Sequence, residues 1–129
     1  MKKFMLIDDD EIFVFLTKKT ILKVSADVEV QVFADGQQAI SHLQDIAGNS
    51  ELLPDVIFLD LNMPVMDGWE FLDEYQKLDG FPLDGVPLYI VSSSISPYEM
   101  DRSAGIPVVT EFIIKPLVKE KFLEILENL

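Results

Sequence analysis

The amino-acid sequence predicts an α/β fold in three layers, with a parallel sheet between two layers of helices. Two observations carry this prediction. Five short apolar runs recur along the 129 residues, and a stretch with helically spaced apolar residues follows each run. Alternation of this kind is typical of a parallel sheet covered on both faces. With 49% hydrophobic residues, the chain is long enough to bury one core without disulfides.

The predicted strands and helices alternate from the N-terminus onward. The apolar runs predicted as strands are Phe4–Ile7, Val28–Phe33, Val56–Leu59, Leu88–Val91 and Phe112–Ile114. The stretches predicted as helices are Glu11–Val24, Gln37–Ala47, Trp69–Leu78, Pro97–Ala104 and Val118–Asn128. Right-handed crossovers between five strands favour the flavodoxin-like order 2-1-3-4-5. We expect one domain over residues 1–129, with no second domain.

The helical spacing also predicts which side chains are buried. Helix 1 offers one candidate buried face, formed by Phe13, Leu16, Thr20 and Val24. Ile12 and Phe15 then lie at least partly exposed near the start of this helix. Asp10 is expected to cap helix 1, since an acidic side chain there accepts backbone N–H groups. His42, the only histidine, falls in the middle of helix 2 and is expected to be exposed.

Composition and charge exclude several classes of function. The ten Lys and Arg residues against 23 Asp and Glu give a net charge of −13, so a direct nucleic-acid or anionic membrane partner is not expected. The chain has no cysteine, which excludes disulfides and thiolate metal sites. No apolar run is long enough for a signal peptide or a membrane span, and we therefore expect a cytoplasmic protein.

Polar residues follow four of the five predicted strands directly. They are Asp8-Asp9-Asp10 after strand 1, Asp60 after strand 3, Ser92-Ser93-Ser94 after strand 4 and Lys115-Pro116 after strand 5. Carboxyl ends of parallel strands share one edge of the sheet, where ligands bind in open α/β folds. Crowded carboxylates favour a cation, and Mg²⁺ suits a site made of oxygen ligands. Taken singly, each residue fits a cap, loop or surface role, but together they predict a site.

Four motifs in this chain resemble the receiver domain of bacterial two-component response regulators. They are LIDDDE at Leu6–Glu11, LDLNMPVMDG at Leu59–Gly68, VSS at Val91–Ser93 and IIKPL at Ile113–Leu117. The resemblance covers the whole chain and keeps the order of the motifs. It implies a stand-alone receiver that takes a phosphoryl group from a sensor histidine kinase or a histidine phosphotransfer protein. Its signal would pass to an unknown downstream protein through protein contacts.

The resemblance also implies a role for each residue at the strand ends. Asp60 is the implied phosphoacceptor. The implied Mg²⁺ ligands are Asp9 directly, Asp8 mainly through water, Asp60 and the backbone carbonyl of Asn62. The implied switch and catalytic residues are the Ser92 hydroxyl, the Phe112 ring and Lys115, which pairs with Asp60 and then with the phosphoryl group.

Three further expectations concern the surroundings of this site. The resemblance implies a cis bond between Lys115 and Pro116. Pro64 and Gly68 are expected to shape the loop into helix 3, with Gly68 adopting backbone angles that other residues avoid. Helix 1 lies beside the site, where the kinase docks in receivers, so the exposed Ile12 and Phe15 are candidates for a kinase-docking patch.

Three other functions stay open at this point. A phosphohydrolase of the haloacid dehalogenase kind also uses an Asp at a strand end, but its motif has a second Asp where Asn62 stands. An interaction module independent of phosphorylation would not need every site residue that is present here. A flavodoxin-like redox protein would have a phosphate loop rich in Ser and Thr after strand 1. We therefore expect no enzyme, but a phosphoacceptor that assists its own transfer and dephosphorylation.

Overall fold

The computed structural model of the chain describes residues 1–63, 65–79 and 85–129. Its strands are β1 (Lys2–Ile7), β2 (Val28–Phe33), β3 (Val56–Leu59), β4 (Leu88–Ser92) and β5 (Glu111–Ile114). Its helices are α1 (Glu11–Val24), α2 (Gly36–Ile46), α3 (Gly68–Tyr75), α4 (Pro97–Ala104) and α5 (Lys119–Glu127). The role predicted for Pro64 lies outside the described residues. No helix in the described ranges is long and apolar enough to cross a membrane.

The five strands form one parallel sheet in the order β2-β1-β3-β4-β5. This confirms the predicted fold class and strand order. Strands β3 and β4 are buried along their whole length, whereas the edge strands β2 and β5 are only partly buried. The difference follows from position, since central strands of a parallel sheet are covered on both faces.

The core consists of two apolar layers, one on each face of the sheet. The layer beneath α1 and α5 contains the rings of Phe4, Phe58 and Phe122, with Phe58 centred 5.7 Å from each of the other two. The layer beneath α2 and α3 contains Phe71 and Tyr75, whose rings stack at 5.6 Å. Ring pairs at these separations add to the stabilisation that burial of the rings provides.

The buried face of α1 differs from the predicted one. The helix buries Phe13, Thr17 and Ile21, whereas Leu16 is 55% exposed. Phe13 was predicted correctly, and Val24 is half-buried against the same core. Leu16 was predicted wrongly, because Thr17 and Ile21 take the buried positions. Because α1 carries apolar residues around most of its circumference, their spacing alone does not determine which side packs on the sheet.

Two smaller expectations on the other face of the sheet were also wrong. Helix α3 ends at Tyr75 rather than at Leu78, although Leu78 still packs against the core from the following turn. His42 is half-buried rather than exposed. Its ring lies 4.9 Å from the ring of Phe33, which stands at the end of edge strand β2 and packs beside α2.

Candidate functional site

Backbone hydrogen bonds continue the strand ladders just past the carboxyl edge of the sheet. Asp60 N donates to Ile7 O at 2.9 Å, and Asp8 N donates to Phe33 O at the same distance. Lys115 N donates to the carbonyl of Ser92 at 2.8 Å. These bonds fix the backbone from which Asp8, Asp60 and Lys115 project. The predicted convergence of polar residues at this edge therefore has a defined geometry.

The Lys115 ammonium lies between two buried carboxylates. Its Nζ is 2.9 Å from Asp8 Oδ2 and 3.6 Å from Asp60 Oδ1. Asp8 Oδ1 accepts a hydrogen bond from Asp10 N at 2.9 Å. The Lys115–Pro116 bond is cis, as the resemblance implies. The structure thus places Lys115 within ion-pair distance of both aspartates, with Asp8 as the nearer partner.

Burial raises the pKa of both carboxyl groups, and repulsion from Asp8 adds to this effect at Asp60. Burial, followed by the charge of Asp8, raises the pKa of Asp60 from 3.8 to about 6, against the opposing effect of Lys115. Burial also raises the pKa of Asp8, while the Asp10 N–H and Lys115 act in the opposite direction. One ammonium therefore does not compensate two carboxylates at this edge, and a further cation would be favoured there.

The donor atoms at this edge fit a hard divalent cation. Carboxylate oxygens of Asp8, Asp9 and Asp60 all lie within 4.8 Å of one another. Asp9 is exposed at the rim, which leaves room for water ligands. A site of oxygen ligands that keeps some waters suits Mg²⁺. Asn62, whose carbonyl was predicted as a further ligand, is exposed two residues after Asp60.

The two residues predicted to act as the switch occupy β4 and β5. Ser92 is the last residue of β4 and is fully buried, and its Oγ accepts a hydrogen bond from Ser94 N at 3.1 Å. Phe112 is half-buried in β5 and packs against the layer beneath α2 and α3. Ser92 therefore lies at the same edge of the sheet as Asp60, and the half-buried Phe112 ring packs against the core from β5.

The loop from β3 to α3 is fixed by a cap and by a close backbone contact. Asp67 caps α3 by accepting a hydrogen bond from Glu70 N at 2.9 Å. Gly68 N donates to Leu61 O at 3.0 Å. A Cβ on Gly68 would lie 2.6 Å from the carbonyl oxygen of Asp60. Gly68 is therefore required for close approach to the Asp60 backbone, and the expected requirement for unusual backbone angles was the wrong reason.

Two features of the site were not predicted from the sequence. Val65 has a φ of 70°, a conformation that a β-branched residue rarely adopts. The Lys115 Nζ lies 4.2 Å from the centre of the Phe13 ring. The apolar spacing of α1 identified Phe13 as buried, but no sequence signal relates a residue of α1 to one after β5.

The predicted docking residues lie on the solvent side of α1, next to the acidic edge. Ile12 is 73% exposed and Phe15 is 57% exposed. Phe15 borders a cleft of about 380 Å³ between α1 and the end of β2. The residues lining this cleft are Asp8, Asp9, Glu11, Val14, Phe15, Lys18, Val32 and Ala34. Apolar and acidic surface are therefore continuous from α1 to the carboxylates.

Sequence comparison now identifies the family. The sequence model of a protein family, the response regulator receiver domain, matches residues 4–127 of this chain. The chain belongs to this family. Its sequence is 32% identical over 124 residues to the chemotaxis protein CheY of Listeria monocytogenes, covering 96% of this chain and 95% of CheY. Several other relatives of this receiver are longer proteins, of which the chain spans less than half.

Solved structures agree with this assignment. The crystal structure of a two-component response regulator from Cytophaga hutchinsonii matches with a TM-score of 0.89 and 26% identity, over 99% of this chain and 96% of that one. The Mn²⁺-bound form of the response regulator Rcp1 matches with a TM-score of 0.75 and 26% identity, over 97% and 89% of the two chains. The predicted family and fold are thereby confirmed, and the acidic cluster of this receiver has the composition of a divalent-cation site.

Proposed function

We propose that this receiver is a phospho-accepting response regulator of a two-component or phosphorelay pathway, with Asp60 as the acceptor. The observation that carries the proposal is the Asp60 carboxylate itself. It is buried at the end of β3, beside the Asp8 carboxylate and within 3.6 Å of the Lys115 ammonium. A carboxylate nucleophile beside an ammonium that can follow the charge onto the phosphoryl group is suited to form an acyl phosphate.

The transfer itself forms one bond and breaks one. An Asp60 carboxylate oxygen attacks the phosphorus of a phosphohistidine, the O–P bond forms, and the electron pair of the breaking N–P bond returns to the imidazole. Lys115 follows the negative charge onto the phosphoryl oxygens. The Ser92 hydroxyl, at the end of the strand next to β3, would donate to one of them. Mg²⁺ held by Asp8, Asp9, Asp60 and the Asn62 carbonyl would supply additional positive charge.

The signal would follow from this local change in charge. When the Ser92 hydroxyl turns to the phosphoryl group, the Phe112 ring, which is half-buried in the neighbouring strand β5, would turn inward. A two-state rearrangement of this kind carries a charge event to the protein surface. We propose that the receiver then signals by protein contacts to a downstream target, without contacting nucleic acid directly.

Acetyl phosphate provides the test of this function. Incubation with acetyl phosphate and Mg²⁺ should add the mass of one phosphoryl group, and chelation of Mg²⁺ with EDTA should slow the reaction strongly. A phosphohydrolase would instead release phosphate from small phosphomonoesters with repeated turnover. Such turnover would contradict the proposal, and so would labelling at the same rate with and without EDTA.

We further propose that Ile12 and Phe15 belong to the surface that binds the phosphodonor protein. A phosphohistidine must approach Asp60, and these exposed apolar side chains lie on the helix that borders the Asp8 and Asp9 carboxylates. Single exposed apolar residues are common on protein surfaces, so exposure alone does not indicate docking. The position of Ile12 and Phe15 beside the acidic cluster is what favours a docking role.

The double variant Ile12→Ala with Phe15→Ala is expected to slow transfer from a histidine kinase that phosphorylates the wild-type chain. Acetyl phosphate labelling should stay close to wild type, because a small donor needs no docking surface. Leu22→Ala is the matched control, since Leu22 is 60% exposed on α1 and lies about 10 Å further from the site than Phe15. The support for docking here would be lost if the double variant reacted more slowly with both donors to the same extent. It would also be lost if Leu22→Ala slowed transfer from the kinase as much as the double variant does.

A further inference from the structure

We propose that Phe13 is a positioning residue for phosphoryl transfer, because its ring holds the Lys115 ammonium at the Asp60 carboxylate. The proposal rests on the proposed function of Asp60 and adds a residue to that site. Lys115 Nζ lies 4.2 Å from the centre of the Phe13 ring, within the range of a cation–π contact. The same atom lies 2.9 Å from Asp8 Oδ2 and 3.6 Å from Asp60 Oδ1. The ammonium is therefore held by two carboxylates and one aromatic ring.

The backbone of Phe13 is connected to the acidic edge by two hydrogen bonds. Asp10 Oδ1 accepts from Phe13 N at 3.1 Å, which fixes the first turn of α1. Asp10 N in turn donates to Asp8 Oδ1 at 2.9 Å. The same segment that places the Asp8 carboxylate thus places the ring, and both contact the same ammonium. Loss of the ring would leave Asp8 as the main restraint on Lys115.

The ring has an effect that an aliphatic side chain of similar size would lack. The Lys115 side chain is only 15% exposed, so its ammonium has lost much of its water. A desolvated ammonium gains from the negative face of an aromatic ring, whereas an aliphatic surface offers no such attraction. A lysine also has four flexible side-chain bonds, and each contact that restrains its ammonium favours the geometry needed at Asp60.

Substitutions that remove the aromatic face but keep an apolar side chain test this role. Phe13→Leu and Phe13→Met should slow acetyl phosphate labelling about 3- to 10-fold, in line with the strength of a partly desolvated cation–π contact. Phe13→Tyr keeps the ring and should recover most of the rate. Ile21→Val is the matched control, since Ile21 is buried on the same face of α1 two turns further along, and it should label like wild type.

Proton NMR gives a second measurement that does not depend on phosphorylation. The ε-methylene protons of Lys115 should be shifted upfield by the Phe13 ring, relative to those of lysines that do not lie over an aromatic ring as Lys19 does. The shift should vanish in Phe13→Leu but persist in Phe13→Tyr. Wild-type labelling rates in Phe13→Leu and Phe13→Met, or equal slowing in Phe13→Tyr, would overturn the positioning role. Failure of the wild type to take any label would instead refute the function proposed for Asp60, and the transfer role of Phe13 with it.

Discussion

Replacement of Asp60 by Asn is expected to stabilise the folded receiver by about 1–3 kcal/mol at pH 7 without divalent cations. Asp60 is only 6% exposed and lies beside a second carboxylate, so its ionisation in the folded state is unfavourable. A pKa raised from 3.8 to about 6 corresponds to about 3 kcal/mol as the upper end of this range. Asparagine keeps the shape of the side chain and removes the charge.

The sign of the pH dependence follows from the raised pKa. Between pH 3.8 and about 6 the folded state binds the Asp60 proton more tightly than the unfolded state does. The contribution of Asp60 to the free energy of unfolding therefore falls as the pH rises through this window. Below the lower value both states are protonated. The difference between Asp60→Asn and wild type should therefore be largest above about pH 6 and disappear below about pH 4.

Urea unfolding at several pH values measures this difference. Asp73→Asn is the matched control, because it makes the same chemical change at an exposed position of α3 and should leave the free energy of unfolding unchanged. Added Mg²⁺ should stabilise wild type more than Asp60→Asn, since the variant lacks one of the three clustered carboxylates. A variant less stable than wild type at pH 7 would contradict the repulsion at this site.

Replacement of Gly68 by Ala is expected to destabilise the fold by about 3 kcal/mol. The added Cβ would lie 2.6 Å from Asp60 O and 2.8 Å from Leu61 Cα. Both of these are backbone atoms of the segment that carries Asp60, so neither can move aside as a side chain does. The clash should separate α3 from the end of β3, and acetyl phosphate labelling should fall together with the stability.

Gly105→Ala serves as the control for this substitution. Gly105 follows α4 with a φ of −83°, and a Cβ there would have its nearest contact at 3.6 Å, with Arg102 O. The Gly105→Ala substitution should change the free energy of unfolding by less than about 1 kcal/mol, and we expect it to stabilise the fold. Equal unfolding midpoints for Gly68→Ala and Gly105→Ala in urea would show that the close approach at Gly68 is not required.

Much of the fold could be predicted from local sequence, because short apolar runs mark the strands and helically spaced apolar residues mark the helices between them. The runs Val28–Phe33 and Val56–Leu59 form strands with the predicted bounds, and α1 begins and ends where it was expected. Val56–Leu59 is apolar throughout, whereas Val28–Phe33 alternates apolar with polar residues. A capped helix separates the two runs. The buried face of α1 was less predictable, since apolar spacing fits a face with Leu16 as well as one with Thr17. Which of the two is buried depends on how the helix packs on the sheet.

Some features of the site could be predicted from the sequence and others could not. Asp8, Asp60 and Lys115 each follow an apolar run, and strand order alone brings their ends together. The nearer pairing of Lys115 with Asp8, and its position over the Phe13 ring, depend on side-chain placement across three elements. No pattern within one element encodes such a contact.

The identity of the phosphoacceptor is tested most directly by intact-mass measurement of wild type and Asp60→Asn after incubation with Mg²⁺ and acetyl phosphate. We expect one added phosphoryl group in the wild type, mapped to Asp60 by fragmentation, and none in the variant. Because Asp60→Asn is expected to be at least as stable as wild type, loss of the label cannot be attributed to unfolding. An adduct of full yield in Asp60→Asn, or a label mapped to another residue of the wild type, would contradict the assignment.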